Sequence, residues 1–224
     1  TGIAVTVAFR AKIWNIGAEG QLFAGALASY WAYLLLGPGA GAYILPLIFL
    51  AGFIGGGLYG GLAGFLRSRF RINEVLTTVM LNYVIIFFMS FMLVSGPWRD
   101  PSSHFAQTPR IDKSVWLPKI MDGSKLHIGF LIAVVCAIAV YVMLTRSSLG
   151  YEIRAVGHNP RASKFKGINV GKTAILAMCI SGGLAGLAGV TEVFGVAYRL
   201  KGEISHGYGF TGIIVAVLAV LNPL

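Results

Sequence analysis

Apolar and polar positions along this chain fall into long blocks rather than into alternating stripes. An apolar helix needs about twenty residues to cross a hydrocarbon core of roughly 30 Å, so blocks of that length predict membrane-spanning helices. Residues 1–9 (TGIAVTVAF) read as the end of one span. The next segment, RAKIWNIGAEGQ, puts Asn15, Glu19 and Gln21 among glycines beside apolar sequence. Residues 21–36 form a short apolar run, closed by a Gly-Pro-Gly turn at 37–39. Further spans are predicted at residues 43–66, 75–95, 128–145 and 173–196, and a last element begins at 210–221. The intervening polar segments are 67–71, 96–127, 146–172 and 198–209. The second of these holds Pro97, Pro101, Pro109 and Pro118, with Trp98 and Trp116 as candidate interfacial aromatics.

Residues 146–172 (RSSLGYEIRAVGHNPRASKFKGINVGK) carry Arg146, Arg154, Arg161, Lys164, Lys166 and Lys172 against one acid, Glu152. Residues 150–156 read as a short helix broken by Gly157 and stopped by Asn159-Pro160. A second helical stretch, 161–165, ends at Gly167. From the pattern alone, the segment is either a basic connection obeying the positive-inside rule or a docking surface for a soluble partner.

Composition fixes the class. Hydrophobic residues make up 56% and charged residues 12%, with a mean hydropathy of +0.77. Soluble domains carry about a quarter charged residues, so this is an integral membrane protein. The fold expected is all-α, a polytopic transmembrane bundle forming a single domain over residues 1–224. Apolar sequence at both ends suggests a bundle cut through membrane elements. The net charge of +10 lies in loops between apolar runs, which points to membrane lipid and not to nucleic acid. Cys136 and Cys179 sit in apolar segments, and the histidines lack ligand spacing, so no metal site is expected. No nucleophile elbow, phosphate loop or HExxH motif occurs, and no enzyme is expected. Segments 67–71 and 146–172 are separated by two spans and therefore share a side. Arg67, Arg69 and Arg71 form the densest short loop, which assigns that side to the cytoplasm and residues 96–127 to the outside.

Two rows of small residues mark packing faces. Gly52, Gly56, Gly60 and Gly64 recur every fourth position, with Gly57 and Gly61 alongside. Ala177, Ser181, Ala185 and Gly189 form a second row beside Gly182 and Gly186. Such rows let helix backbones approach closely in lipid. Glu74, Thr78 and Asn82 share one helix face. Asn73-Glu74 also reads as a cap followed by an acid that complements the helix dipole. Asn82, two turns inside, points to function or to an interhelical hydrogen bond. Glu192 lies near the outer end of its span.

The stretches IWNIGAEGQLFAGALAS, INEVLTTVMLNY, SGPWRDPSSHFAQTPRI, LGYEIRAVGHNPRASKFKGINV and GYGFTGIIVAVLAVLNPL resemble, in order, the permease subunits of bacterial ABC importers. The family serves branched-chain amino acids, simple sugars and nucleosides, and the resemblance is nearest to its nucleoside type. It implies a multi-pass permease subunit in the bacterial inner membrane that transports a nucleoside, with a simple sugar as the alternative. An ion-coupled secondary transporter using Glu19, Glu74 or Glu192 is the competing class, and a structural membrane subunit is a third. The resemblance implies cytoplasmic ABC ATPase subunits, a second permease subunit and an extracytoplasmic substrate-binding lipoprotein. ATP and Mg belong to the ATPase, with no cofactor on this chain. It also makes 146–172 the cytoplasmic coupling loop, through Gly150, Tyr151, Glu152, Arg154, Gly157, Asn159, Pro160 and Gly167. The substrate pathway is expected at Asn15, Glu19, Gln21, Glu74, Thr78, Asn82 and Glu192, the first three in a segment that interrupts the membrane helices.

Overall fold

Helices follow from the apolar blocks, and the polar segments supply the caps that start them. The computed structural model describes residues 1–37, 41–121, 123 and 126–223. In chain order the helices are α1 (Gly2–Arg10), α2 (Ala18–Leu36), α3 (Leu45–Phe70), α4 (Glu74–Val94), α5 (Gly129–Arg146), α6 (Ser148–His158), α7 (Pro160–Phe165), α8 (Val170–Glu192) and α9 (Tyr208–Leu218). A wider π turn, Val193–Ala197, prolongs α8. Among the described residues there is no strand, only the isolated bridges Gln107–Lys201 and Lys119–His127.

Four helices start on a side chain of their own N-cap residue. Asn73 accepts from the N–H of Val75, Ser147 from Gly150, Asn159 from Ala162 and Asn169 from Lys172. Each of these caps satisfies a donor that the first helical turn leaves unpaired. Pro160 takes the first position of α7, where its missing N–H costs nothing.

Among the described residues, four helices are long and apolar enough to cross a membrane: α3, α4, α5 and α8 with its π extension. In α8, 61% of the apolar window is buried, against 22% in α4 and 17% in α5, so α8 is the inner helix and α4 and α5 turn broad sides outward. Leu76, Met80, Phe87 and Phe91 of α4 and Leu131, Val135 and Ile138 of α5 are exposed large apolar side chains of the kind lipid covers. The chain is a multi-pass, all-helical membrane bundle.

Close approach of backbones holds its centre. The row Gly52, Gly56, Gly60 and Gly64 on α3 lies against α8. A Cβ on Gly56 would run into the Gly182 carbonyl and stand 2.8 Å from Gly186 Cα. One on Gly60 would meet the Met178 carbonyl, and one on Gly64 would stand 3.0 Å from Met178 Cβ. Gly52 abuts Val190. From α2, Gly25 touches the same Gly186 backbone, so three helices cross at Gly25, Gly56 and Gly186. With lipid as apolar as the side chains, such dispersion contacts replace the hydrophobic drive of a soluble core.

Two sequence expectations need correction. Gly157 does not break a helix. It lies buried inside α6, where a Cβ would strike the Arg10 carbonyl, so its smallness serves the contact with the end of α1. Residues 96–127 are not merely a polar connection. Ile111, Val115 and Leu117 are buried in one core with Phe194, Leu200 and Ile204. Backbone N–H groups of Thr108, Ile111 and Leu117 donate to the carbonyls of Leu200, Tyr198 and Phe194, while Trp116 stacks on Tyr198 at 4.0 Å beneath Arg110. The prolines hide this partner at the sequence level because it lies some eighty residues downstream. Segments 67–71 and 146–172 share one face, bordering a recess of about 400 Å³ lined by Arg67, Ser68, Gly157 and His158.

Candidate functional site at the interrupted helices

α2 and α9 begin inside the bundle, not at its edge. Asn82 lies eight residues into α4 and Ser181 eleven into α8, about 12 and 17 Å from the starts of those helices and therefore near mid-depth. Both side chains meet the segment that joins α1 to α2.

That segment is held by a closed set of hydrogen bonds. The amides of Asn15 and Gln21 bond reciprocally, at 2.9 and 3.0 Å. Asn15 Nδ2 also donates to Ser181 Oγ at 2.9 Å, and the Ser181 hydroxyl donates to the Ala4 carbonyl of α1 at 2.6 Å. Asn15 Oδ1 accepts from the N–H of Gly17, which starts α2 and has no side chain of its own to cap it. Asn82 supplies what Gly17 lacks. Its Oδ1 accepts from Gly20 N–H at 2.8 Å and its Nδ2 donates to the Ile16 carbonyl at 3.1 Å. A side chain of α4 thus caps α2 from across the interface. Glycine at 17 and 20 is needed for that approach, because a Cβ would stand 2.9 Å from Thr78 Cβ and 2.7 Å from Asn82 Oδ1 respectively.

Glu19 does the same for α9. Buried to 4% exposure, it accepts at Oε2 from Gly209 N–H at 2.6 Å. Gly207, the N-cap of α9, contributes no side-chain bond. Ser205 accepts from the adjoining Tyr208 N–H.

Of the expected pathway residues, the structure therefore brings together Asn15, Glu19, Gln21, Thr78 and Asn82. All are buried. Glu74 stands apart at the head of α4, 3.4 Å from Arg67, and Thr78 donates its hydroxyl to the Glu74 carbonyl. Glu192 lies partly buried at the far end of α8. Among the described residues, no buried side-chain nitrogen or oxygen lacks a hydrogen-bond partner, so the cluster's polar groups are already engaged within the chain. Sequence reading missed Ser181 as a hydrogen-bonding member, having placed it only in a packing row, and it missed Ser205 and Gly209. Glycine at both N-cap positions was the available signal.

On the basic face, Gly150 is buried against the Met143 carbonyl and Tyr151 is half exposed. Glu152 accepts from the Thr173 hydroxyl at 3.0 Å, which ties α6 to α8. Arg154 is partly exposed, while Asn159 and Pro160 are exposed at the α6–α7 corner. Gly167 turns the chain at φ +82°, in the left-handed region that favours glycine. Phe165 is 95% exposed. No group of three or more His, Cys, Asp or Glu converges among the described residues.

α2 and α9, which start within the bundle on caps lent by neighbouring helices, mark a polytopic membrane protein whose irregular backbone is enclosed by its own helices. The chain belongs to the family described as branched-chain amino acid transport system / permease component, whose model matches residues 1–224. It is 38% identical to the guanosine ABC transporter permease protein NupP of Bacillus subtilis (strain 168), over 97% of this chain and 63% of that one. It is 34% identical to the nucleoside ABC transporter permease protein NupB of Lactococcus lactis subsp. cremoris (strain MG1363), over 100% and 64%. The glucose ABC transporter permease protein TsgB13 of Haloferax volcanii is also 34% identical, over 97% and 59%. The chain thus spans less than two thirds of the length of these relatives. No solved structure matches it.

Proposed function

We propose that this chain is the membrane-spanning part of a permease subunit in an ATP-driven ABC importer, and that it carries a small neutral polar solute, a nucleoside first. The family match over all 224 residues carries this reading, and the relatives named for guanosine and nucleosides support the substrate class. A sugar is the second reading, favoured by the glucose permease at 34% identity. In this reading the bundle lies in the bacterial inner membrane and performs no hydrolysis itself. ATP and Mg are bound by cytoplasmic ATPase subunits, a second permease subunit completes the path, and an extracytoplasmic binding lipoprotein delivers solute to the side of residues 96–127.

Residues 146–172 are the surface on which an ATPase subunit docks. The exposed corner at Asn159-Pro160, the cationic side chains of α7 and the tie from Glu152 to α8 suit a contact that passes motion into the inner helix. The cluster at Asn15, Glu19, Gln21, Thr78 and Asn82 borders the pathway. Its members shape that border instead of gripping the solute, since their polar groups are engaged within the chain. Glu74 and Glu192 mark the two mouths.

The test uses the full-length protein with its ATPase subunits in proteoliposomes. Arg154→Glu and Arg161→Glu, both at positions solvent reaches, should leave insertion intact and uncouple ATP hydrolysis from uptake. Unchanged coupled uptake in both variants would remove the docking assignment.

A further inference from the structure

Among the described helices, α4, α6, α7 and α8 are capped by a side chain of their own N-cap residue, but α2 and α9 start on glycines at mid-depth and face each other. A Cβ on Gly209 would stand 2.6 Å from Glu19 Cα and 2.8 Å from Glu19 Cβ, so the two N-termini meet backbone to backbone. Each helix start carries a partial positive charge of roughly half a unit, and two such ends repel when brought together out of water. Glu19 lies on both. It occupies the first turn of α2, and its carboxylate accepts from the first turn of α9. At 4% exposure it is shielded from solvent, so its charge acts on the helix ends rather than on water.

We propose that Glu19 is a built-in anion that neutralises the paired helix starts and makes the pathway beside them reject anionic solutes. It is a specificity-determining residue. Without its charge, the two N-termini would present N–H donors and a positive field to any phosphate or carboxylate entering the bundle. The inference rests on the transporter reading above in one respect, that a solute path runs beside the cluster. The charge role itself can be tested without transport.

The first arm measures thermal unfolding of the purified full-length protein in detergent. Glu19→Ala opens a space the size of a carboxylate at the two helix starts, and sodium formate should raise its melting temperature well above any shift seen in the parent. An equal formate response in the two proteins would overturn the proposal. Glu19→Gln keeps an acceptor oxygen and loses only the charge. If Glu19→Ala is not recovered folded, the melting temperature of Glu19→Gln beside the parent's reads the charge role directly: a fall is expected, and an unchanged value would overturn the proposal. The second arm measures inhibition of guanosine uptake by guanosine monophosphate in the reconstituted complex. Inhibition should strengthen about tenfold in Glu19→Gln, within the range expected for a charge at a helix terminus. Glu203→Gln, which removes the same charge from an exposed position, controls for net charge. No difference between Glu19→Gln and Glu203→Gln would contradict the selectivity claim. If the parent complex moves no guanosine, the nucleoside reading fails while the formate arm still decides the charge role.

Discussion

Replacing Gly56 by alanine tests whether the three-helix crossing is the mechanical centre of the bundle. A Cβ there would collide with the Gly182 carbonyl and stand 2.8 Å from Gly186 Cα, both on α8. Neither obstacle is a flexible side-chain tip, so α3 and α8 must separate by the better part of an ångström. A gap of 0.5–1 Å forfeits about a quarter to a half of each dispersion contact along the line. Overpacking of a tight site costs about 1–3 kcal/mol, and backbone obstacles put this one near the upper end. Alanine returns about 1 kcal/mol through its better helix propensity, which leaves a net loss of about 2 kcal/mol. For a protein of this size that corresponds to a fall in melting temperature of about 4–8 °C. The assay is thermal unfolding followed by tryptophan fluorescence in detergent, alongside yield and monodispersity on gel filtration. Gly186→Ala should behave alike, because a Cβ at Gly186 would collide with the Gly52 carbonyl and crowd Gly56 Cα. The double variant should cost less than the sum, since one separation relieves both clashes. Gly202→Ala, at a site with no atom within 4 Å, should be neutral. Parental melting temperatures for Gly56→Ala and Gly186→Ala would refute the argument.

Asn82→Ala removes the cap that α4 lends to α2 and should destabilise by about 1–2 kcal/mol, the usual worth of an N-cap, while Leu at the same position should cost more by also crowding Gly20. Hydrogen exchange of the Gly17–Gly20 amides in Asn82→Ala checks this, and unaltered protection would exclude the cap role. Glu74→Gln should change stability by less than about 1 kcal/mol, because its ion pair with Arg67 is partly exposed and of the kind worth little. Unfolding of the variant beside the parent checks it, and a large loss would show Glu74 serving another part of the bundle. His127, just ahead of α5, is held neutral: burial pushes its pKa below the usual value, and its Nδ1 accepts from Gly129 N–H. The depressed value means that the stability it lends is present above its unfolded pKa of about 6.5 and is lost as pH falls through the lower folded value. Proteolysis within residues 106–127 should therefore quicken on acidification below about pH 6, and His127→Gln should flatten that dependence. A parent whose cleavage is indifferent to pH would contradict it.

The blocks of apolar residues made the spans legible, because length against membrane thickness leaves few alternatives. The glycine row on α3 was legible for a similar reason: period-four spacing fixes a helix face whatever lies opposite. The row with Gly182 and Gly186 stood out in the same way, but not as the partner of the first, and only the fold shows Gly25 of α2 joining them at one crossing. At the candidate site, the polar residues stood out against apolar sequence, yet spacing could not say what they bind. Asn82 and Gly20 are sixty-two positions apart and Glu19 and Gly209 a hundred and ninety, separations for which local pattern carries no signal. Gly157 was misread because glycine has two uses, release of the backbone and close approach, and the approaching group, the Arg10 carbonyl, lies far away in the chain. Residues 96–127 were misread because prolines and charges mask the buried Ile111, Val115 and Leu117, which need Phe194 and Leu200 as partners.

The most direct measurement of the central claim is uptake of labelled guanosine into proteoliposomes containing the full-length permease, its ATPase subunits and the binding lipoprotein. Internal accumulation should require ATP and the complete set of subunits, and it should persist when the proton and sodium gradients are collapsed. Accumulation by the permease alone, driven by an imposed ion gradient and indifferent to ATP, would contradict the account and place the chain among secondary transporters.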